Sequence, residues 1–338
     1  MVPMPGFSGM AANVKILIEK EGKHTPVDIV PPQFGKRANG EPYIKLGKDH
    51  IGGHDCVVIT SGPGTYEMLG QLHLLLGYLV GRRAARITLV SGYLPLCRSD
   101  KDEGALEFAI GGHTIHMIEC AAHGKLDRII SVDLHAPQTV QAASHMGVIT
   151  EISLARRLLA FTVEAARHVQ EEICLLLPDD GAAKRFEEPI IQFMKRSGIR
   201  LPIIYGVKRR SDSQTSKFLR LSGDTDKLVG SIVIGLDDEV ATGGTNRHTA
   251  EAVKNQYGAK SYWAVAVHGV LCENAPIELN SPTSPIDRIV VTDTLPIDER
   301  AELAALRQSG RLQVVSWAPD LAHLIFYHHW DMSIREIR

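Results

Sequence analysis

The chain has 338 residues, 44% of them apolar and 22% charged, with a formal net charge of −2. This length supports one or two cores, with two domains as the prior, and the near-neutral balance excludes a general basic field for nucleic acid. Cysteines at 56, 97, 120, 174 and 272 include no C-x-x-C pair, which excludes a disulfide framework or zinc ribbon and suits a reducing, cytoplasmic setting.

The first residues, M-V-P-M-P-G-F-S-G-M, show no basic segment followed by an apolar one, so no secretory leader is expected. Short apolar runs at Cys56–Thr60 and Arg86–Val90 predict buried strands, with a helix over Glu67–Arg83 between them. The apolar part of that helix, Met68–Val80, contains Gln71 and His73 and is too short for a membrane span. Thr114–Ile118 and Ile129–Val132 read as further strands, and a junction falls near Gly147–Ser153.

Beyond the junction a second alternation begins. Helices are predicted over Ser153–Glu171, Phe186–Ser197, Thr245–Tyr257 and Glu299–Ser309. Strands are predicted at Ile173–Leu177, Ile203–Tyr205, Ser231–Gly235, Tyr262–Val267 and Arg288–Val291. Polar Lys208–Gly230 reads as a hairpin or loop, and Asn274–Pro285 as a loop. Strands alternating with helices, and apolar on both faces, indicate parallel sheets covered by helices. The expected fold is two α/β domains, each with a central, mostly parallel sheet flanked by helices. Their expected limits are 1–150, completed by 316–338, and 151–315.

The sharpest chemical signal is V-I-G-L-D-D-E-V-A-T-G-G-T, Val233 to Thr245. An apolar strand ends in the acids Asp237 and Asp238, and a small-residue turn leads to a helix near Asn246. Thr242, Gly243, Gly244 and Thr245 can wrap amides and hydroxyls round a phosphate at the helix start. Glycine allows the close backbone approach. The adjacent carboxylates can accept hydrogen bonds from vicinal sugar hydroxyls. An ordinary glycine-rich βα turn explains T-G-G-T alone, but not the acid pair directly before it.

This segment resembles the phosphoribosyl-diphosphate loop of type I phosphoribosyltransferases and, more closely, of ribose-phosphate pyrophosphokinases. Three further segments carry the closer resemblance. S-V-D-L-H-A-P-Q (Ser131–Gln138) is similar to the family segment whose histidine, here His135, helps hold magnesium and ATP phosphates. L-L-P-D-D-G (Leu176–Gly181) resembles the turn whose aspartate, here Asp179, contributes to magnesium binding. G-Y-L-P-L-C-R-S-D-K (Gly92–Lys101) resembles the ATP-phosphate segment, with Arg98 and Asp100 matching and Ser99 in place of glutamine.

Weaker matches extend it from about Gly35 to about Trp330. Lys208, Arg209 and Arg210 resemble the K-R-R of the catalytic loop; the resemblance gives Lys208 and Arg210 the stabilisation of the transferring phosphates. R-A-N-G-E (Arg37–Glu41) resembles the adenine-contacting segment. It implies ATP contacts from Arg37, Asn39 and Glu41, with the Arg37 guanidinium stacking where the family has an aromatic ring.

The departures are specific. Ala241 stands where the family loop has a third acid, R-Q-D-R reads R-S-D-K, and the adenine segment has lost its aromatic residue and one acid. The resemblance implies diphosphoryl transfer from ATP, with Mg2+, to the anomeric hydroxyl of ribose 5-phosphate. It also implies small-molecule substrates only, no nucleic acid or membrane partner, and a homo-oligomer, dimer or hexamer. Two alternatives stay open. Ala241 widens the phosphate pocket and lowers its negative charge, which suits a larger acceptor such as ADP-ribose, as in a phage-type NAD-rebuilding relative. A non-catalytic regulatory homologue would also tolerate Ala241 and Ser99.

Overall fold

The computed structural model describes the chain except residues 22–23, 103–105, 144–147, 170–171, 213–214 and 335–338, and treats 207–212 and 215–219 as backbone alone. It divides into two compact units, Met1–Ile152 with Trp317–Arg338, and Ser153–Ser316.

In unit 1, β1 (Val2–Pro3) leads into α1 (Ser8–Glu19). A hairpin of β2 (Pro32–Lys36) and β3 (Pro42–Leu46) forms a separate two-stranded antiparallel sheet. Then follow β4 (Asp55–Thr60), α2 (Tyr66–Gly81), β5 (Arg86–Ser91), α3 (Gly111–Ala121), β6 (Leu126–Val132) and β7 (Ile149–Ile152). The main sheet is ordered β1-β4-β5-β6-β7 and is parallel throughout. Val58, Ile59, Leu89, Val90, Ile129 and Ile130 are essentially inaccessible to solvent, as strands covered on both faces require. The helix Ala318–His329 packs on α1 and closes this core.

Thr114–Ile118, expected as a strand, lies inside α3. Its buried residues, Gly111, Thr114, Ile115 and Ile118, follow a helical period, while His113 and Met117 face outward. A five-residue apolar window does not separate that period from a strand.

Unit 2 contains α4 (Ala155–Arg167), β8 (Ile173–Leu177), α5 (Asp180–Ser197), β9 (Ile203–Asp212), β10 (Thr215–Gly223) and β11 (Ile232–Val240). It continues with α6 (Gly244–Asn255), β12 (Ser261–Gly269), α7 (Ala275–Asn280), β13 (Arg288–Thr292), α8 (Ala304–Gln308) and β14 (Leu312–Val315). The sheet is ordered β10-β9-β8-β11-β12-β13-β14, and only the β9–β10 edge pair is antiparallel. Cys174, Leu176, Val233, Ala264, Ala266 and Val291 form the centre of its core. The expected loop Asn274–Pro285 contains α7, whose Leu279 is fully buried. From β8 the chain builds outward in one direction, to β9 and β10, then returns to add β11 on the other side. Such a reversal leaves a crevice at the carboxyl ends of the two strands, where α/β proteins bind ligands. No helix among the described residues is long and apolar enough to cross a membrane.

Candidate functional site

In unit 2 the reversal lies between β8 and β11, and the motif residues occupy the carboxyl ends of those two strands. Asp179 stands two residues past the end of β8 and caps α5, its Oδ1 accepting the Ala182 amide at 3.0 Å. Asp237 and Asp238 lie in the carboxyl-terminal half of β11, which runs on to Val240. Asp238 is 5% exposed, and its Oδ1 accepts from Arg185 of α5 at 3.0 Å. Asp237 is half-buried, and its Oδ1 accepts the Asp238 amide at 2.9 Å. Burial pushes the Asp237 carboxyl well above its ordinary value, and the neighbouring Asp238 and Asp179 add to the rise.

After β11, Ala241 and Thr242 turn the chain into α6, with Gly243 at the N-cap in the left-handed region at φ 78°. A Cβ there would sit 3.0 Å from Leu279 Cδ2, so conformation and packing both call for glycine. No side chain caps α6 and no acid occupies its first turn. Thr242 and Thr245 are exposed. The first amides of α6 have no intrahelical acceptor, and the Gly244 amide lies 3.5 Å from Thr242 Oγ1; amides beside two exposed hydroxyls are an anion-binding arrangement.

The turn is braced from behind. The Leu271 and Cys272 amides donate to Val240 O and Ala241 O at 2.9 and 3.2 Å. The Arg300 guanidinium donates to Val270 O at 2.7 Å and Leu271 O at 2.8 Å. Tyr262 of β12 lies across β11 and donates to Asn246 Oδ1 in the first turn of α6 at 2.9 Å. A Cβ on Gly235 would fall 2.0 Å from that hydroxyl, so this strand glycine is the floor on which Tyr262 rests.

Unit 1 gathers the other motif residues at the carboxyl ends of β5 and β6. Arg98 is exposed, while Ser99 and Asp100 are partly covered. Ser99 Oγ accepts the Ile110 amide at 3.1 Å, and Ser99 O accepts the Gly111 amide at 2.9 Å, fixing the turn to the start of α3. Gln138 Nε2 donates to Asp100 Oδ2 at 2.7 Å. The segments Gly92–Lys101 and Ser131–Gln138 are thus joined side chain to side chain. His135 is half-buried. Two residues before it, buried Asp133 holds φ 35°, with its amide bonded to Ile152 O at 2.9 Å. Aspartate tolerates that backbone better than most residues, and such strain gathers at functional loops.

Arg37, Asn39 and Glu41 form the exposed tip of the β2–β3 hairpin. The Glu41 amide donates to Asn39 Oδ1 at 3.1 Å, and the Arg37 guanidinium lies 5.8 Å from the centre of the Tyr43 ring. Lys208 and Arg210 pair through the backbone of β9 with Phe218 and Ser216 of β10; their side chains lie outside the described part of the structure. A cavity of about 480 Å³ opens at the opposite, amino-terminal ends of β1, β4 and β5, between Ile18, Lys48, Asp55, Cys56 and Phe326, and no motif residue lines it.

Sequence reasoning missed Arg185, Tyr262, Arg300 and Tyr43. Only Gly235, a glycine inside an apolar strand, signalled a close approach.

Two parallel-sheet units, one with an acid-bearing strand running into a glycine–threonine turn at its reversal, define a protein of the type I phosphoribosyltransferase fold. Residues 211–313 match the phosphoribosyl synthetase-associated domain. The chain is 29% identical over 333 residues to a ribose-phosphate pyrophosphokinase of Rhodopirellula baltica, covering 98% of this chain and 97% of the relative. It is 26% identical to one of Caldanaerobacter subterraneus subsp. tengcongensis, covering 95% and 94%. The crystal structure of the phosphoribosylpyrophosphate synthetase from Mycobacterium smegmatis superposes with a TM-score of 0.75 at 25% identity, covering 98% of this chain and 99% of that one. Over nearly its whole length the chain is similar to ribose-phosphate pyrophosphokinases, which are transferases.

Proposed function

We propose that this chain transfers the diphosphoryl group of ATP to the anomeric hydroxyl of a 5-phosphorylated ribose, with Mg2+, releasing AMP. One observation carries the reading: in unit 2 an acid pair and an uncapped, acid-free helix start share the crevice beside β8 and β11. That spacing suits a sugar phosphate, with the phosphate on Thr242, Gly243, Gly244 and Thr245 and the ribose hydroxyls toward Asp237 and Asp238. Arg98, Ser99 and Asp100 of unit 1 are the proposed ATP-phosphate groups, and Arg37, Asn39 and Glu41 the proposed adenine groups. Arginine suits the first role because its fork matches phosphate oxygens.

In the reaction the anomeric oxygen attacks the β-phosphorus in line. The new O–P bond forms as the bond from that phosphorus to the α,β-bridging oxygen breaks, and AMP leaves with that oxygen. Lys208 and Arg210 are the proposed partners of the charge on the transferring phosphates, and positioning with charge neutralisation supplies most of the rate. His135 of unit 1 and Asp179 of unit 2 are each a proposed protein contact of magnesium. Among the described residues no group of three or more His, Cys, Asp or Glu forms a metal cage; magnesium takes few protein ligands besides phosphates and water, which suits single protein contacts. Its contribution when bound is to neutralise phosphate charge. The same reading includes a cytoplasmic protein acting as a homo-oligomer, dimer or hexamer; light scattering after gel filtration tests the assembly.

The deciding experiment is AMP release from ATP, Mg2+ and ribose 5-phosphate. Turnover is expected; its complete absence would leave the non-catalytic reading. Ala241, half-buried at the start of the turn, favours one alternative, an acceptor larger than ribose 5-phosphate. The same assay with ADP-ribose decides between the acceptors.

A further inference from the structure

The two acids of β11 are not equivalent. Asp238 is buried and ion-paired with Arg185, whose side chain is itself only 16% exposed. Asp237 is the more open of the two and uses one carboxylate oxygen on the Asp238 amide. Arg185 sits on α5, the helix whose first turn Asp179 caps. One ion pair therefore joins the helix that follows β8 to the end of β11, the two elements that flank the crevice.

We propose that the acid pair divides its work: Asp237 is the carboxylate that meets the sugar hydroxyls, and Asp238 is a positioning residue that Arg185 pins to hold the strand end in place. This rests on the reading of unit 2 as the acceptor site and refines it. A sugar hydroxyl competing for Asp238 would have to displace its half-buried guanidinium partner, leaving a charge unpaired in a poorly solvated place. Among the described residues Asp237 bonds to Asp238, by side chain and amide, and to no guanidinium, so it requires no such exchange. Arg185 thus acts on the acceptor through Asp238, without touching it.

The test compares Asp237→Asn, Asp238→Asn, Arg185→Met, Arg185→Lys and the double variant Arg185→Met with Asp238→Asn in the full chain. Three readouts are taken: ribose 5-phosphate binding by calorimetry, AMP-release kinetics and melting temperature. Asp237→Asn is expected to weaken acceptor binding about 100-fold, and Asp238→Asn about tenfold, the range that loss of a charged hydrogen bond spans. Arg185→Met strands the Asp238 charge and is expected to melt lower than Asp238→Asn. The double variant strands no charge and should recover most of that loss, a coupling expected only of groups in contact. Arg185→Lys, which keeps the charge, should retain most acceptor binding and show its defect in KM more than in kcat.

Equal losses in Asp237→Asn and Asp238→Asn would overturn the division of labour. A double variant no better than Arg185→Met would overturn the pinning. Sugar-phosphate binding that follows the expected order without any AMP release would refute the proposed reaction and leave this inference standing.

Discussion

The two units share an α/β plan but hold their motif residues in opposite ways. Unit 2 builds its candidate phosphate cup from backbone: amides at the start of α6, a left-handed glycine, and carbonyls braced by Leu271, Cys272 and Arg300. Unit 1 builds from side chains: Ser99 on the Ile110 amide, Gln138 on Asp100, and a strained aspartate ahead of His135. The sheets account for the difference. Unit 2 reverses its strand order beside β8, which opens a crevice onto a helix start. Unit 1 adds its strands β4 to β7 in one direction and has no such reversal, so its loops must be tied to one another. A backbone site depends on conformation and fails when a dihedral is denied. A side-chain site loosens one bond at a time.

The strongest way to break this contrast is Gly243→Val. A β-branched residue in the left-handed region costs about 1–2 kcal/mol, and its Cβ would press on Leu279. Displacing the first amides of α6 should lower kcat/KM for the acceptor about 100-fold, as small misplacements do, with the KM for ATP little changed. Initial-rate kinetics varying each substrate check this.

A smaller effect sharpens the electrostatic side. The Asp237 carboxyl is held well above its ordinary value of 3.8 in the folded chain. Its contribution to stability is therefore full below that value and is lost as pH rises through the folded one. Asp237→Asn removes the liability. In the absence of substrate and magnesium, the variant should melt a few degrees above the native protein at neutral pH, and the gap should close toward pH 3.8. Melting curves across pH read it, and a gap that widens in acid contradicts the assignment.

The smallest effect belongs to unit 1. Asp100→Ala or Gln138→Ala removes one partly exposed hydrogen bond, worth about 0.5–1.5 kcal/mol. Each should raise the KM for ATP severalfold and leave acceptor binding in unit 2 unchanged. Losses that do not overlap in the double variant would show that the two loops are not coupled.

Much of this architecture was legible in the chain because covered strands such as Ile173–Leu177 and Tyr262–Val267 are apolar on both faces and bounded by polar residues. The phosphate turn was legible because its chemistry is local: acids, glycines and threonines stand within a few residues. Arg185 and Tyr262 were not, because what they do depends on partners on other elements, Asp238 and Asn246. Thr114–Ile118 was misread because five residues sample too little of a helix, and β7 was missed at four residues. Lys208 and Arg210 rest on resemblance alone.

The helix Ala318–His329 completes unit 1 yet is made after all of unit 2. During synthesis α1 must wait for its cover until the ribosome has delivered the whole intervening unit. A chain stopped after Ser316 would carry a finished second unit and a first one with an apolar flank open to water. Such truncations should fall to proteases and chaperones from the amino-terminal side, and circular permutants that bring the last helix next to the first should fold with less delay.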